Sequence, residues 1–249
     1  MAIPKIIHYC WFGGNPKSEL ILRCMDSWRR YFPDYEIREW NEDSFDIHAC
    51  DYVREAYEAK KWAFVSDYCR MHVLYTHGGL YFDTDVEIVR DARELFASPV
   101  IGFESKKLLN PGLVLACEAG DAFCRDMLDE YATDHFTLPD GTYNYRTICD
   151  RATDHFVRYG MRVDNTLQQV AGYTVYPTEY FNPLGSSGGY LRITENTVSV
   201  HNFAGSWIDE EAKRTMKTSF KGKVFHALER ILGKKLSAKL RRFYKKHSS

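Results

Sequence analysis

SDYCRMHVLYTHGGLYFDTD, residues 66–85, changes its period halfway along, and that change decides the fold class. Up to His77 the pattern is helical, and the spacing predicts a helix over Trp62–His77. Gly78-Gly79 stops it, as a left-handed cap would. From Leu80 to Val89 the residues turn apolar and β-prone, which predicts a strand. Asp67 and Arg70 stand three apart and share a helix face, with Leu74 four further on. At the other end lie Asp83-Thr84-Asp85. On an extended backbone, residues i and i+2 point to one side, so both carboxylates would face together. They repel unless a cation or a donor sits between them, and the usual partner is a hard divalent ion bound through oxygen. The bland alternatives are a solvated turn for the D-x-D and a surface ion pair, worth little, for Asp67 and Arg70.

Working outward, strands and helices alternate. Pro4–Trp11 reads as a first strand ending at Gly13-Gly14. Ser18 caps a helix through about Tyr31, ended by Pro33-Asp34. Tyr35–Trp40 is a second strand, and Arg54–Lys60 a short helix. Val100–Phe103 and Gly112–Cys117 precede a helix near Asp121–Tyr131. Strands recur at Tyr173–Tyr176, Tyr190–Ile193 and Thr197–His201. This alternation predicts an α/β fold with a mixed central sheet. The Gly/Ser-rich loop Asn182–Gly189 reads as mobile, either a connector or a lid that excludes water.

The chain has 249 residues, 45% hydrophobic and 27% charged, which excludes disorder as the dominant state. No apolar run is long enough to cross a bilayer, and the start does not read as a secretory signal, so a cytoplasmic protein is expected. Seven cysteines without C-x-x-C spacing argue for buried thiols rather than disulfides or structural zinc. The 33 basic and 34 acidic residues conceal an asymmetry: residues 217–249 hold 11 Lys/Arg and one acid, Glu229. An acidic body, 1–216, therefore carries a basic tail, 217–249. Within the tail, Phe225, Leu228, Leu232, Leu236, Leu240 and Phe243 recur at helical spacing among basic residues. That reads as an amphipathic helix over 222–246, either lying on an anionic membrane surface or packed on the body. No recognised motif supports nucleic-acid binding.

The pattern S-D-x-x-R-x-x-x-L-x-x-x-G-G-x-Y-x-D-x-D over Ser66–Asp85 resembles the DXD-containing glycosyltransferases of the capsular-polysaccharide type. These are relatives of initiating mannosyltransferases and of the catalytic domain of large clostridial glucosylating toxins. The opening Ile3–Gly14 is similar to that family's first strand, and His201-x-x-x-x-Ser206-Trp207 to its closing motif. The resemblance implies a GT-A-like, Rossmann-type nucleotide-binding fold. It also implies a metal-dependent, retaining transferase that uses a nucleotide sugar, with Mn²⁺ or Mg²⁺ as cofactor. By that resemblance Asp83 contacts the donor's ribose or sugar and Asp85 ligates the metal, with His201 as a second ligand. Asp67 and Arg70 hold the sugar hydroxyls, and Trp11 or Phe12 sits beside the base. Asn41 reaches the nucleoside side, Asn110 and Gly112 meet the sugar or acceptor, and Ser206 and Trp207 touch metal and diphosphate. Each aromatic and His201 also has a purely structural reading. A UDP-hexose donor and a glycan or glycolipid acceptor are expected, as in surface polysaccharide synthesis on a lipid-linked oligosaccharide at the inner membrane face.

The chemistry is coherent with that set. A departing nucleoside diphosphate gathers negative charge, which a divalent ion stabilises, and a carboxylate–imidazole pair suits Mn²⁺ better than thiolates would. No residue stands out as a general base. Two rivals remain: a haloacid-dehalogenase-type phosphatase, which wants Thr or Val where Glu87 stands, and a non-catalytic nucleotide-sugar-binding module.

Overall fold

A computed structural model describes residues 2–183 and 191–204. Ser206, Trp207, most of the Gly/Ser loop and the basic tail lie outside the described residues. The described residues form one compact unit that ends at Ala204.

The first strand, β1 (Ile6–Cys10), pairs in parallel with β2 (Glu36–Trp40) on one side and β3 (Gly79–Tyr81) on the other. Helix α1 (Glu19–Tyr31) makes the first crossover. The Ser18 hydroxyl accepts from the Ile21 N–H, satisfying one of the otherwise orphaned donors of the first turn. Glu19 in that turn and Arg29 and Arg30 in the last complement the helix dipole. Helices α2 (Asp51–Glu58) and α3 (Trp62–His77) make the second crossover. Gly78 ends α3 at φ +63°, its N–H donating to Leu74 O at 2.8 Å. A Cβ there would stand 2.6 Å from the Ala119 nitrogen, so the sheet edge and the helix end meet at a position only glycine fits.

Beyond β3 the sheet turns mixed. After β4 (Val86–Ile88) and a 3₁₀ turn at Arg93–Ala97 comes β5 (Val100–Ser105). A short β6 (Leu108–Leu109) folds back on β5 as a hairpin, and β7 (Leu115–Cys117) runs antiparallel between β3 and β5. Helices α4 (Ala122–Ala132) and α5 (Ile148–Arg158) follow, then β8 (Gln168–Val170), β9 (Tyr173–Tyr176), α6 (Thr178–Phe181) and β10 (Ser199–His201). The main sheet has the order β2-β1-β3-β7-β5-β9-β8. Burial alternates along its strands between two cores. Tyr81, Ile101 and Leu115 face the α2–α5 side, while Leu80, Val100 and Ala116 face the α1 side.

Three expectations need correction. The predicted strand Leu80–Val89 is two strands in two sheets. After Tyr81 the chain leaves the main sheet, turns at Thr84-Asp85 with Val86 N–H bonded to Asp83 O at 3.0 Å, and enters a separate antiparallel pair, β4 with β10. Asp83 and Asp85 thus sit in a turn, not side by side on an extended face. Helix α1 fixes that departure: Trp28 Nε1 donates to Val86 O at 2.8 Å, and Ser27 Oγ accepts from Ile88 N–H at 2.8 Å. Similarly, residues 191–193 of the predicted Tyr190–Ile193 strand are irregular. Asn182, placed at the start of a mobile loop, is buried and donates to Glu104 O at 2.7 Å.

His8 is wholly buried at the centre of β1. Trp40 Nε1 can only donate, so Nδ1 accepts from it at 3.0 Å and Nε2–H donates to Gly78 O at 2.8 Å. The ring is therefore neutral, and burial lowers its pKa to about 4. The unfolded chain binds this proton near pH 6.5 and the folded chain only near 4, so stability falls as pH drops through that window. At 1.36 kcal/mol per pH unit the loss approaches about 3 kcal/mol. Urea midpoints at pH 7 and pH 4.5 should separate the wild type from His8→Gln, whose dependence is flatter. Equal slopes would remove His8 as the cause.

Candidate active site

In an open parallel unit, ligands bind beyond the carboxyl ends of the strands where the strand order reverses. Here the reversal is at β1, with β2 on one side and β3 on the other. The residues just past β1 are Trp11–Gly14, and those just past β3 are Phe82–Asp85, so the two sequence motifs converge at one edge.

Two clusters form there. In the first, Arg70 is a buried fork. It donates to Asp67 Oδ1 at 3.1 Å and to Asp83 Oδ1 at 2.8 Å, with its guanidinium 4.6 Å above the Tyr81 ring. Helix α3 is buried nearly all round, so Asp67–Arg70 is not a surface pair. Burial opposes the Arg70 charge, but Asp83, Tyr81 and Asp67 outweigh it and raise its pKa well above the ordinary value. Burial pushes Asp67 up to about 6, against the pull of Arg70.

The second Asp67 oxygen accepts the Ile148 N–H at 3.1 Å, at the start of α5. A capping box between Thr147 and Asp150 starts that helix, and buried Arg151 ties it to Glu130 and Asp134 around α4. On the other side, Asp83 N–H donates to Gly112 O at 2.7 Å, and Gly112 N–H to Asn110 Oδ1 at 2.6 Å. Asn110 Nδ2 reaches Glu104 Oε2 at 2.8 Å, which the Cys149 thiol approaches at 4.0 Å. The contacts close a ring: Asp67, Arg70, Asp83, Gly112, Asn110, Glu104, and the first turn of α5 back to Asp67. A Cβ on Gly112 would land on the Asp83 carboxylate, 2.6 Å from Cγ and 2.9 Å from Asn110 Oδ1, so the ring closes only with glycine there.

The second cluster is Asp85 with His201. The β4–β10 register sets His201 opposite Val86, and so beside Asp85. His201 Nε2 lies 3.0 Å from Asp85 Oδ1, while Ala204 N–H donates to Oδ2 at 2.7 Å. Burial pushes the Asp85 carboxyl up, but His201 and Ala204 outweigh it and hold it below the ordinary range. Burial likewise pushes His201 down, and the Asp85 bond and charge reverse that. These two residues fit a divalent ion. Neighbouring ligands of an octahedral ion, each at about 2.1 Å, lie about 3 Å apart. A carboxylate with an imidazole is also a donor set suited to Mn²⁺. His201 Nδ1 is buried with no partner among the described residues.

The remaining sequence candidates divide. Trp11 is half-buried at the rim; its Nε1 donates to Asn15 O at 2.7 Å and Lys17 lies over its ring. Phe12 points into the core against Phe45. The Asn41 side chain is taken up by its own turn, donating to Glu39 and accepting from Asp43 N–H and the Ser44 hydroxyl. Among the described residues, three ligand-type side chains converge at Cys117, Asp121 and Cys124, away from the D-x-D turn. There the Sγ atoms are 3.8 Å apart and Asp121 caps α4, with burial raising the Cys124 pKa well above the thiol's ordinary value. All seven cysteines are free, five of them buried, as the sequence suggested.

Sequence reasoning missed Glu104 and α5. The Thr147-x-x-Asp150 box followed by buried Ile148, Arg151, Ala152, His155 and Phe156 was a usable signal for the helix. Glu104 had none, because only the β5–β6 hairpin brings it against Asn110.

The site is thus an acidic turn at the switch point of a mixed α/β sheet, backed by a buried Asp–Arg pair. Residues 18–102 match the family described as "Glycosyltransferase sugar-binding region containing DXD motif". Inositol phosphoceramide mannosyltransferase 3 of Schizosaccharomyces pombe is 33% identical over 102 residues, 39% of this chain and 28% of the relative. The chain thus spans just over a quarter of that relative's length. Among solved structures, the PaToxG glycosyltransferase aligns over 51% of this chain and 60% of its own at 19% identity and a TM-score of 0.38. A glycosyltransferase involved in glycosylation of the major capsid of PBCV-1 aligns over 86% and 100% at 13% identity and 0.46. Among the described residues no helix is long and apolar enough to cross a membrane.

Proposed function

We propose that the protein transfers a hexose from a nucleotide sugar, UDP-hexose in the first instance, to a glycan or lipid-linked glycan acceptor, with retention of configuration. The observation that carries this reading is the meeting of the Asp67–Arg70–Asp83 clamp and the Asp85–His201 pair at the switch point. Asp85 and His201 would hold a divalent cation, which when bound supplies positive charge to the departing diphosphate. Arg70 stays charged and holds Asp83 in place, leaving Asp83 Oδ2 to accept from a ribose or sugar hydroxyl. Asp67, locked by Arg70 and the Ile148 N–H, stiffens that wall, so its geometry is set before substrate arrives. The Trp11 face at the rim offers stacking area for a base. The Schizosaccharomyces pombe relative is named an inositol phosphoceramide mannosyltransferase, in line with a lipid-borne acceptor here.

The test is a melting-temperature screen with UDP-glucose, UDP-galactose and GDP-mannose, each with and without Mn²⁺. One donor is expected to raise the transition only when Mn²⁺ is present, because a ligand of the native state stabilises by mass action. The same donor should yield nucleoside diphosphate. No response to any nucleotide sugar, or phosphate release from phosphomonoesters instead, would refute the reading.

A further inference from the structure

Glu104 is the carboxylate that the reading above leaves without a task. It stands near the end of β5, half-buried, with a hairpin folding Asn110 back against it. Oε2 accepts from Asn110 Nδ2, while Oε1 has no hydrogen bond among the described residues. A carboxylate on a partly buried wall, with one oxygen engaged and one free, is poised to accept from hydroxyls.

Its neighbours give it direction. Asn110 Oδ1 is held by the Gly112 N–H and Nδ2 by Glu104, so the amide cannot flip without setting like groups against each other. Gly112 in turn has no side chain because Asp83 fills that space. Asp83, Asn110 and Glu104 therefore follow one another along a single wall without intervening bulk. The far end of that wall meets the first turn of α5, through Cys149 at Glu104 and Ile148 at Asp67. Three carboxylates, an amide and one arginine linked in one ring of contacts match a polyhydroxylated ring, which needs acceptors spread along it. They do not match a phosphate, which three carboxylates would repel. Burial raises the Glu104 pKa above the ordinary carboxylate value, with Asn110 opposing, which strengthens what its free oxygen gains from an arriving hydroxyl.

Resting on the transferase reading, we propose that Glu104 binds a hydroxyl of the transferred hexose and, through Asn110, orients the sugar half of the donor but not its nucleotide half. Glu104 is then a sugar-binding and positioning residue, and it contributes to which hexose the site accepts.

The test compares the full-length wild type with Glu104→Gln and Asn110→Ala. Titration calorimetry with Mn²⁺ reads two ligands for each protein: UDP alone, and the UDP- or GDP-sugar that stabilises the wild type best. Glu104→Gln retains an acceptor for Asn110, so the fold and the amide orientation survive while the charge is lost. Its nucleoside-diphosphate affinity should stay within about twofold, and its nucleotide-sugar affinity should fall by about 10- to 100-fold, the scale of one charge-assisted hydrogen bond. Asn110→Ala should reproduce the sugar-specific loss. An equal loss for both ligands, or none for the sugar, overturns the role of Glu104 while leaving the transferase reading standing. A wild type that binds no nucleotide sugar overturns both. A general structural role would lower the melting temperature and both affinities together, so the ratio of the two affinities decides.

Discussion

Asp85→Asn is expected to abolish Mn²⁺-dependent transfer while leaving the chain folded. Asp85 is largely buried, and its two oxygens serve His201 and the Ala204 N–H. Asparagine keeps one acceptor and replaces the other with a donor, so one of those contacts is lost. A buried hydrogen-bonding group left without a partner costs about 1–3 kcal/mol, below the usual margin of a domain this size. What asparagine cannot do is offer an anionic ligand. A divalent ion contributes several kcal/mol to a developing diphosphate charge, so turnover should fall by about 10²- to 10³-fold or more. Free Mn²⁺ measured by electron spin resonance gives the second readout: the variant should leave the ion unbound at concentrations where the wild type removes it from solution. Full activity, or unchanged Mn²⁺ binding, would show that Asp85 is not the ligand.

The placement of that residue separates what the sequence carried from what it did not. Strands β1, β2, β3 and β9 and helices α1, α3 and α4 follow local rules: an apolar run, a Ser or Asp cap, a glycine stop. Their patterns are visible because each depends on neighbours a few residues away. The D-x-D motif was found by its residues, but its geometry was misjudged. A β-prone stretch from Leu80 to Val89, apolar on both sides of the D-x-D, looks like one strand, whereas Val86–Ile88 is drawn into another sheet by Trp28 and Ser27 of α1 and by β10. Those partners are 58 to 115 residues away, and periodicity does not register them. The same distance hides Glu104, whose role comes from a hairpin, and the insertion of antiparallel β7 between β3 and β5. Asn41 fails in the opposite way: its position just past β2 suggested ligand contact, yet Asn is also a residue that closes its own turn, and that local bond won.

Arg70→Leu should be the most destabilising single change in the site. The arginine side chain is 4% exposed and bridges Asp67, whose side chain is 10% exposed, and Asp83, at 29%. Removing it strands one fully desolvated carboxylate and loosens a second that can turn toward water. Breaking a buried ion pair from one side typically costs about 3–5 kcal/mol, because the remaining charge stays buried without compensation. The cation over Tyr81 is lost as well. Asp67 already titrates near 6 with Arg70 beside it. Its folded pKa lies above its unfolded value, so the unpaired charge penalises the native state most above that pKa, and the penalty fades as pH falls through it. Without Arg70 the pKa rises further, and the variant should regain part of its stability between pH 7.5 and 6, before the His8 effect takes over. Asp67→Asn added to Arg70→Leu removes the stranded charge, and its Oδ1 can still accept the Ile148 N–H. The double variant should therefore be more stable than Arg70→Leu alone at pH 7.5, a coupling of the kind expected within one network. Urea unfolding of the two variants and the wild type measures it. A single-variant loss below about 1 kcal/mol, the range of an exposed pair, would mean that Arg70 is not the keystone of this ring.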